Sequence, residues 1–372
     1  MNASSVQSKD PPLLSICIPA YNGAHYLKIV LEALLPQVQQ TGGNVEVLII
    51  DDGSTDNTAE VVEHARYHGQ VRYIRNSSNL GSARNIVSGP VQHATGEFVC
   101  VWSQHCLIYP GALAKLLLVL TEKRHLNALY INFRCARYPQ NWPVGAVGGY
   151  SGAYDYLGNE DVRNRDITRW EELLSARSSA CTQSYAHIAK RSAWRNYWAD
   201  RVVGPDFTSV LTTYPHTCTV AETTFGKPSY YIGEPILTIY NGAQWWGSLK
   251  SRARVYLHGY PELMRLYARL GCPREKLLEV QAFGTSQAGA IALELFRNSN
   301  SEVTTLLAKY ICRNWYYKGL ASALWRAFIK SECCWLARGC PRWGQWLHRV
   351  SQYWFCNCRP ARWIRKHLKQ AA

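Results

Sequence analysis

Residues 45–58 read VEVLIIDDGSTDNT. A run from Val45 to Ile50 broken only by Glu46, then two aspartates and a glycine, describes a strand buried on both faces with its loop at the carboxyl edge. Asp56 or Thr55 can cap the helix that follows. Just upstream, residues 13–22 read LLSICIPAYN, a second apolar strand that ends in Pro19, Ala20, Tyr21 and Asn22. Tyr26, Leu27, Val30, Leu31 and Leu34 then recur at helix spacing, which makes a βα unit. In open α/β sheets ligands sit outside the carboxyl ends of the strands, so the residues after each strand line one crevice. A carboxylate there, such as Asp52, can accept hydrogen bonds from a base N–H without competition from its own sheet.

Two further segments continue the pattern, NSSNLGSARN at 76–85 and GEFVCVWSQHCLIYPGAL at 96–113. Together the four segments resemble family 2 glycosyltransferases of the GT-A fold, over roughly residues 14–115. The resemblance implies an α/β domain, a mixed sheet flanked by helices, with a helical C-terminal extension. It implies that Pro19, Ala20, Tyr21 and Asn22 border a nucleoside diphosphate sugar and that Asp52, beside Asp51, holds the base. Asn79, Gly81 and Arg84 match the family's helix-opening segment, where glycine permits close backbone approach and arginine can face phosphate.

The departure comes at the end of the next strand. Family members usually carry a cluster of aspartates there, one of them binding Mg or Mn against the diphosphate. This chain reads Trp102-Ser103-Gln104-His105-Cys106, without a carboxylate, and LIYPGAL resumes the pattern without a gap. Three readings stand. His105, with Gln104 beside it, occupies the metal position, and a neutral imidazole can ligate Mn, although it suits hard Mg poorly. Alternatively the leaving group is neutralised by Arg84 and helix N-termini with no metal. The third reading is a degenerate domain that binds but does not catalyse.

Downstream, NALYINFR at 127–134 reads as one strand and Trp170 to Leu174 as the opening of a helix. Residues 181–194 and 213–246 resemble the acceptor side of the abequosyltransferase-like branch of the family. Within the second block, Tyr230 to Ile232 and Pro235 to Tyr240 look like short strands. Inverting transfer needs one base for the acceptor hydroxyl and some group to stabilise the departing diphosphate. His216, which titrates near neutrality, is the first candidate base, with Glu222 and Asp206 behind it.

The organisation expected is a loose lead-in at 1–12, a glycosyltransferase domain at 13–246, a helical extension at 247–310 and a basic tail at 311–372. That tail holds twelve Lys or Arg against Glu332, a net +11 of the chain's +15, and seven of the fourteen Trp. Its Trp, Leu and Lys/Arg alternate at amphipathic-helix spacing, which suits a bilayer surface. No apolar run reaches the roughly 20 residues needed to span hydrocarbon. Nucleic acid is not expected as a partner, since no recognised motif accompanies the charge. The thirteen cysteines lack paired CxxC spacing and read as free thiols of a cytosolic chain. The expectation is therefore a sugar transferred from a nucleoside diphosphate donor to a lipid-linked surface glycan, O-antigen or a similar polysaccharide, at the inner face of the cytoplasmic membrane. From a different class comes a pseudoenzyme that scaffolds a glycan-assembly complex.

Overall fold

The computed structural model describes residues 10–68, 71–140, 155–175, 181–242, 247–295 and 300–314. The basic Trp-rich tail lies outside the described residues from 315 onward. The chain divides into two compact units, one of residues 1–206 and 211–244, the other of 207–210 and 245–372.

The first unit opens as the sequence predicts. β1 (Leu14–Ala20), α1 (Ala24–Gln39), β2 (Val45–Asp51), α2 (Thr58–His68), β3 (Val71–Arg75), α3 (Ser82–Ser88) and β4 (Phe98–Val101) alternate strand with helix. β1 lies parallel to both β2 and β4, and β3 parallel to β2. β1, β2 and β4 are buried along nearly their whole length, as expected of strands covered on both faces. Ile16, Ile18, Leu48 and Ile49 are fully buried, and each such side chain contributes about 1.5–3 kcal/mol of transfer free energy.

Beyond β4 come β5 (Cys106–Ile108), α4 (Ala112–Glu122), β6 (Ala128–Ile131), β7 (Arg134–Arg137), β8 (Tyr156–Leu157) and β9 (Arg165–Ile167). β10 (His187–Lys190), α5 (Arg191–Trp198), α6 (Val210–Thr213), α7 (Pro215–Thr224), β11 (Ser229–Ile232) and β12 (Leu237–Asn241) complete this part of the chain. The main sheet is mixed, in the order β3-β2-β1-β4-β10-β6-β11-β9, with β10 antiparallel to both neighbours. A second sheet runs β5-β12-β7-β8. This is the mixed sheet flanked by helices that the resemblance implies.

Two local expectations change. The strand expected over 127–134 is two strands in different sheets, β6 and β7, parted at Asn132. That side chain is fully buried. It donates to Asn159 O and Gly233 O and accepts from the N–H groups of Phe133 and Asn159. Side-chain bonds of this kind compete with the ladder and end it. The helix expected from Trp170 is a single 3-10 turn, Trp170–Leu173. Seven cysteines, Cys17, Cys100, Cys106, Cys135, Cys181, Cys218 and Cys272, are buried free thiols.

The second unit is helical: α8 (Leu249–Ala253), a π turn (Arg254–Gly259), α9 (Tyr260–Arg269), α10 (Arg274–Leu295) and α11 (Ser301–Asn314). The π turn thus joins α8 directly to α9. Leu257, Ile291, Leu295, Val303, Leu307 and Tyr310 form its core. Among the described residues no helix is long and apolar enough to cross a membrane.

Candidate functional site

The loops after β1, β2, β3 and β4 are joined by side chains that cross between them. Asn22 adopts a left-handed φ of 47°, a conformation Asn tolerates. Its N–H donates to Ser54 Oγ at 2.9 Å, and its Oδ1 accepts from Thr55 N at 2.8 Å. Asp56 serves two helix starts, accepting from Ala24 N at 3.1 Å and from Thr58 N at 3.0 Å. The first two loops are therefore one stitched unit, and the Asp56 carboxyl is held below its usual range by these bonds despite partial burial.

The two aspartates at the end of β2 are committed as well. Asp51 accepts from Ser54 N and Ser54 Oγ through Oδ1, and from Tyr73 OH through Oδ2. Asp52, 2% exposed, accepts from Asn76 Nδ2 and Leu80 N through Oδ1 and from Gly81 N at 3.0 Å through Oδ2. It thus anchors the 79–81 loop, which Asn79 also braces through Gly81 N. Gly81 has φ 95° and faces the Asp206 carboxylate, so a Cβ there would meet both strain and Asp206. Arg84 is exposed, its Nε donating to Val203 O at 3.0 Å. Tyr21 and Leu80, on the first and third loops, stay 40% and 43% exposed. Large apolar side chains left in water can take a flat base, and an exposed guanidinium an anion.

Pro19 and Ala20 sit at the end of β1, at the mouth of the same loops. Gln104 closes on them from β4: its Oε1 accepts from Tyr21 N at 3.1 Å and its Nε2 donates to Tyr21 O at 3.4 Å. A Cβ at Gly23 would land inside the Gln104 amide. Nothing local in the sequence announces this contact, although a glycine directly after the turn is its trace. His105 is half-buried with its Nδ1 2.8 Å from Ser103 Oγ and its ring 5.8 Å from that of Tyr26. Burial pushes its pKa down to about 4, so the ring is neutral at physiological pH.

The donor set does not fit a divalent metal. Hard Mg and Mn favour carboxylate oxygen. The turn offers one imidazole, an amide already bonded to backbone, and the Cys106 thiol, which burial pushes far up. Among the described residues no three His, Cys, Asp or Glu side chains gather as a metal site. Among the described residues His105, the expected metal position, therefore belongs to no such group.

The acceptor-side candidates separate. Pro215 opens α7 at its first position and turns His216 inward. His216 is 6% exposed, and its Nε2–H donates to Thr182 O at 2.7 Å. Burial, then the neighbouring His187, push its pKa down to about 3. The expectation of a base at His216 thus meets a core histidine closed off from substrate. The two rings lie 6.2 Å apart, His187 donating in the same way to Cys181 O. Glu222 lies at the surface of α7, 3.8 Å from Arg201. Asp206 instead reaches the nucleotide-side loops. Its Oδ2 accepts from Ser82 N at 2.8 Å and from Ser82 Oγ, and its Oδ1 from Ala83 N at 2.8 Å. The contact spans 124 residues of sequence, so no local signal could have marked it.

Residues 15–160 match the family model described as glycosyl transferase family 2. Over 233 residues the chain is 25% identical to an abequosyltransferase of Salmonella typhimurium, covering 60% of this chain and 66% of that one. It is 43% identical to a chondroitin synthase of Escherichia coli over 83 residues, 22% of this chain and 12% of the synthase. The chain thus spans just under two thirds of the first relative and a small part of the second. Among solved structures it is similar to a mannosyltransferase of Pyrobaculum calidifontis in complex with GDP-Man and Mn2+, with TM-score 0.46 and 16% identity over 87% of each chain.

Proposed function

We propose that this chain transfers a sugar, with inversion, from a nucleoside diphosphate sugar to a lipid-linked surface glycan such as O-antigen. The family 2 domain and the abequosyltransferase relative support the donor and substrate class. The observation that carries the reading is the loop 79–83, held by Asp52 on one side and by Asp206 on the other. It brings one acceptor-side carboxylate to the nucleotide side of the sheet. The acceptor oxygen forms its bond to the anomeric carbon as the bond from that carbon to the diphosphate oxygen breaks. The hydroxyl proton passes to Asp206, whose Oδ1 has one N–H donor and keeps a second acceptor site. The charge left on the diphosphate faces Arg84.

The acceptor's lipid places the enzyme at a membrane surface, with the basic Trp-rich residues 311–372 as the contact and the inner face of the cytoplasmic membrane as the location. Flotation of the full chain with anionic vesicles, and its absence with neutral ones, tests this part. The chemistry is tested by a screen of nucleoside diphosphate sugars with Asp206→Asn beside the wild type. The variant is expected to lower kcat by about 10²-fold or more while leaving donor binding within a few-fold. An Asp206→Asn enzyme with unchanged kcat removes the base assignment. Donor binding without transfer or hydrolysis for every donor favours the scaffold reading, to which the carboxylate-free turn at 103–106 also points.

A further inference from the structure

The neighbourhood of β4 differs from the rest of the crevice in the way its carboxylates are used, and this bears on how a diphosphate is held. Four aspartates lie on the crevice loops or against them, and hydrogen bonds occupy both oxygens of each. Asp51 serves Ser54 and Tyr73; Asp52 serves Asn76, Leu80 and Gly81. Asp56 serves Ala24 and Thr58, and Asp206 serves Ser82 and Ala83. Six of these partners are backbone N–H groups at helix starts or in the tight 80–81 turn. Asp51, Asp52 and Asp56 are spent on fixing their own loops, so a metal that drew one of them away would weaken that anchor.

At the turn after β4, where a metal would sit between loops and diphosphate, every side chain is neutral. Ser103 and His105 face one another, and Gln104 fills the space beside Gly23 while bonding Tyr21 through both its amide atoms. The stretches 69–70, 141–154, 176–180 and 243–246, which lie within or beside this unit, hold no Asp, Glu, His or Cys that could complete a site. We propose that this chain grips the diphosphate of its donor without a divalent cation, the Gln104 clamp joining the first and fourth loops where a metal-binding carboxylate would otherwise stand. The inference deepens the reading above and rests on it.

Calorimetry with UDP, GDP and CDP, each titrated into the full chain in EDTA and again in excess Mn, reads the outcome directly. For whichever nucleotide binds, the two dissociation constants are expected to agree within about threefold. Binding at least tenfold tighter in Mn overturns the metal-free inference and leaves the nucleotide reading intact. Absence of binding to all three in both conditions overturns the nucleotide reading, and this inference with it. A converse variant, Ser103→Asp with His105→Asp, is expected to acquire Mn-dependent nucleotide binding and a protein-bound Mn signal in electron paramagnetic resonance, which the wild type lacks. Ser103→Asp alone leaves the half-buried imidazole in place and gives the same readout if the double variant does not fold. A protein-bound Mn signal in the wild type without nucleotide overturns the proposal.

Discussion

The two halves of the main sheet solve the same problem, fixing loops at a strand edge, in opposite ways. On the β1–β2 side aspartate side chains accept N–H bonds from neighbouring loops, as Asp52 does from Leu80 and Gly81. On the β10 side buried neutral rings do it. His187 donates to Cys181 O and His216 to Thr182 O, and among the described residues neither Nδ1 has a partner. A carboxylate held by several donors is most stable charged, whereas a ring buried among Tyr130, Trp170 and a second imidazole is most stable uncharged. The difference teaches that the acceptor half should begin to lose stability in milder acid than the nucleotide half.

That contrast sets the largest expected effect. Both histidines are depressed by burial, His187 to about 4 and His216 to about 3, against an ordinary value near 6.5. Below pH 6.5 the unfolded chain takes up protons that the folded chain refuses. Stability is thus fully present above 6.5 and is lost as pH falls toward 4. The pair together should lose about 4 kcal/mol between pH 8 and pH 5. Urea unfolding at a series of pH values measures it, with His216→Leu expected to remove about half of the slope. A slope unchanged in that variant would break the comparison.

How much of this was legible follows the same division. The nucleotide half is built from contacts between consecutive strand ends, so strand and turn signals mark Pro19 and Asp52 at adjoining strand ends, while Asn79 and Arg84 are legible only through the family resemblance. Asn22 and Gly81 turn there with positive φ, a conformation their residue types tolerate. On the other side the decisive contacts are distant in sequence. Asp206 meets Ser82 across 124 residues, and Asn132 splits a strand by bonding to Asn159 and Gly233. The inward turn of His216 follows from where α7 begins, which Pro215 signalled but the lone histidine obscured.

A mid-sized effect sharpens the nucleotide side. Gly23→Ala should cost about 1–3 kcal/mol, because its methyl displaces the Gln104 amide from Tyr21 in a filled space. Gln104→Ala alone should cost about 1 kcal/mol for the lost bonds. If the two residues are coupled as the geometry requires, the double variant recovers most of the Gly23→Ala penalty. A double-mutant cycle of chemical denaturation reads the coupling, and additive penalties would show that Gln104 does not occupy that space in solution.

The smallest effect belongs to Glu222, and its size is the reason to measure it. The carboxylate sits 3.8 Å from Arg201, whose guanidinium lies 4.0 Å from the Tyr197 ring. Both charges are about a third exposed or more, so screening and side-chain entropy leave such a pair about 0–1 kcal/mol. Glu222→Gln keeps the shape and removes the charge. It should shift unfolding by less than about 1 kcal/mol and leave kcat within about twofold, because Glu222 bonds outward from α7 while Asp206 bonds to the 82–83 loop. Loss of turnover in Glu222→Gln with Asp206→Asn still active would exchange the two assignments and place the proton acceptor on α7.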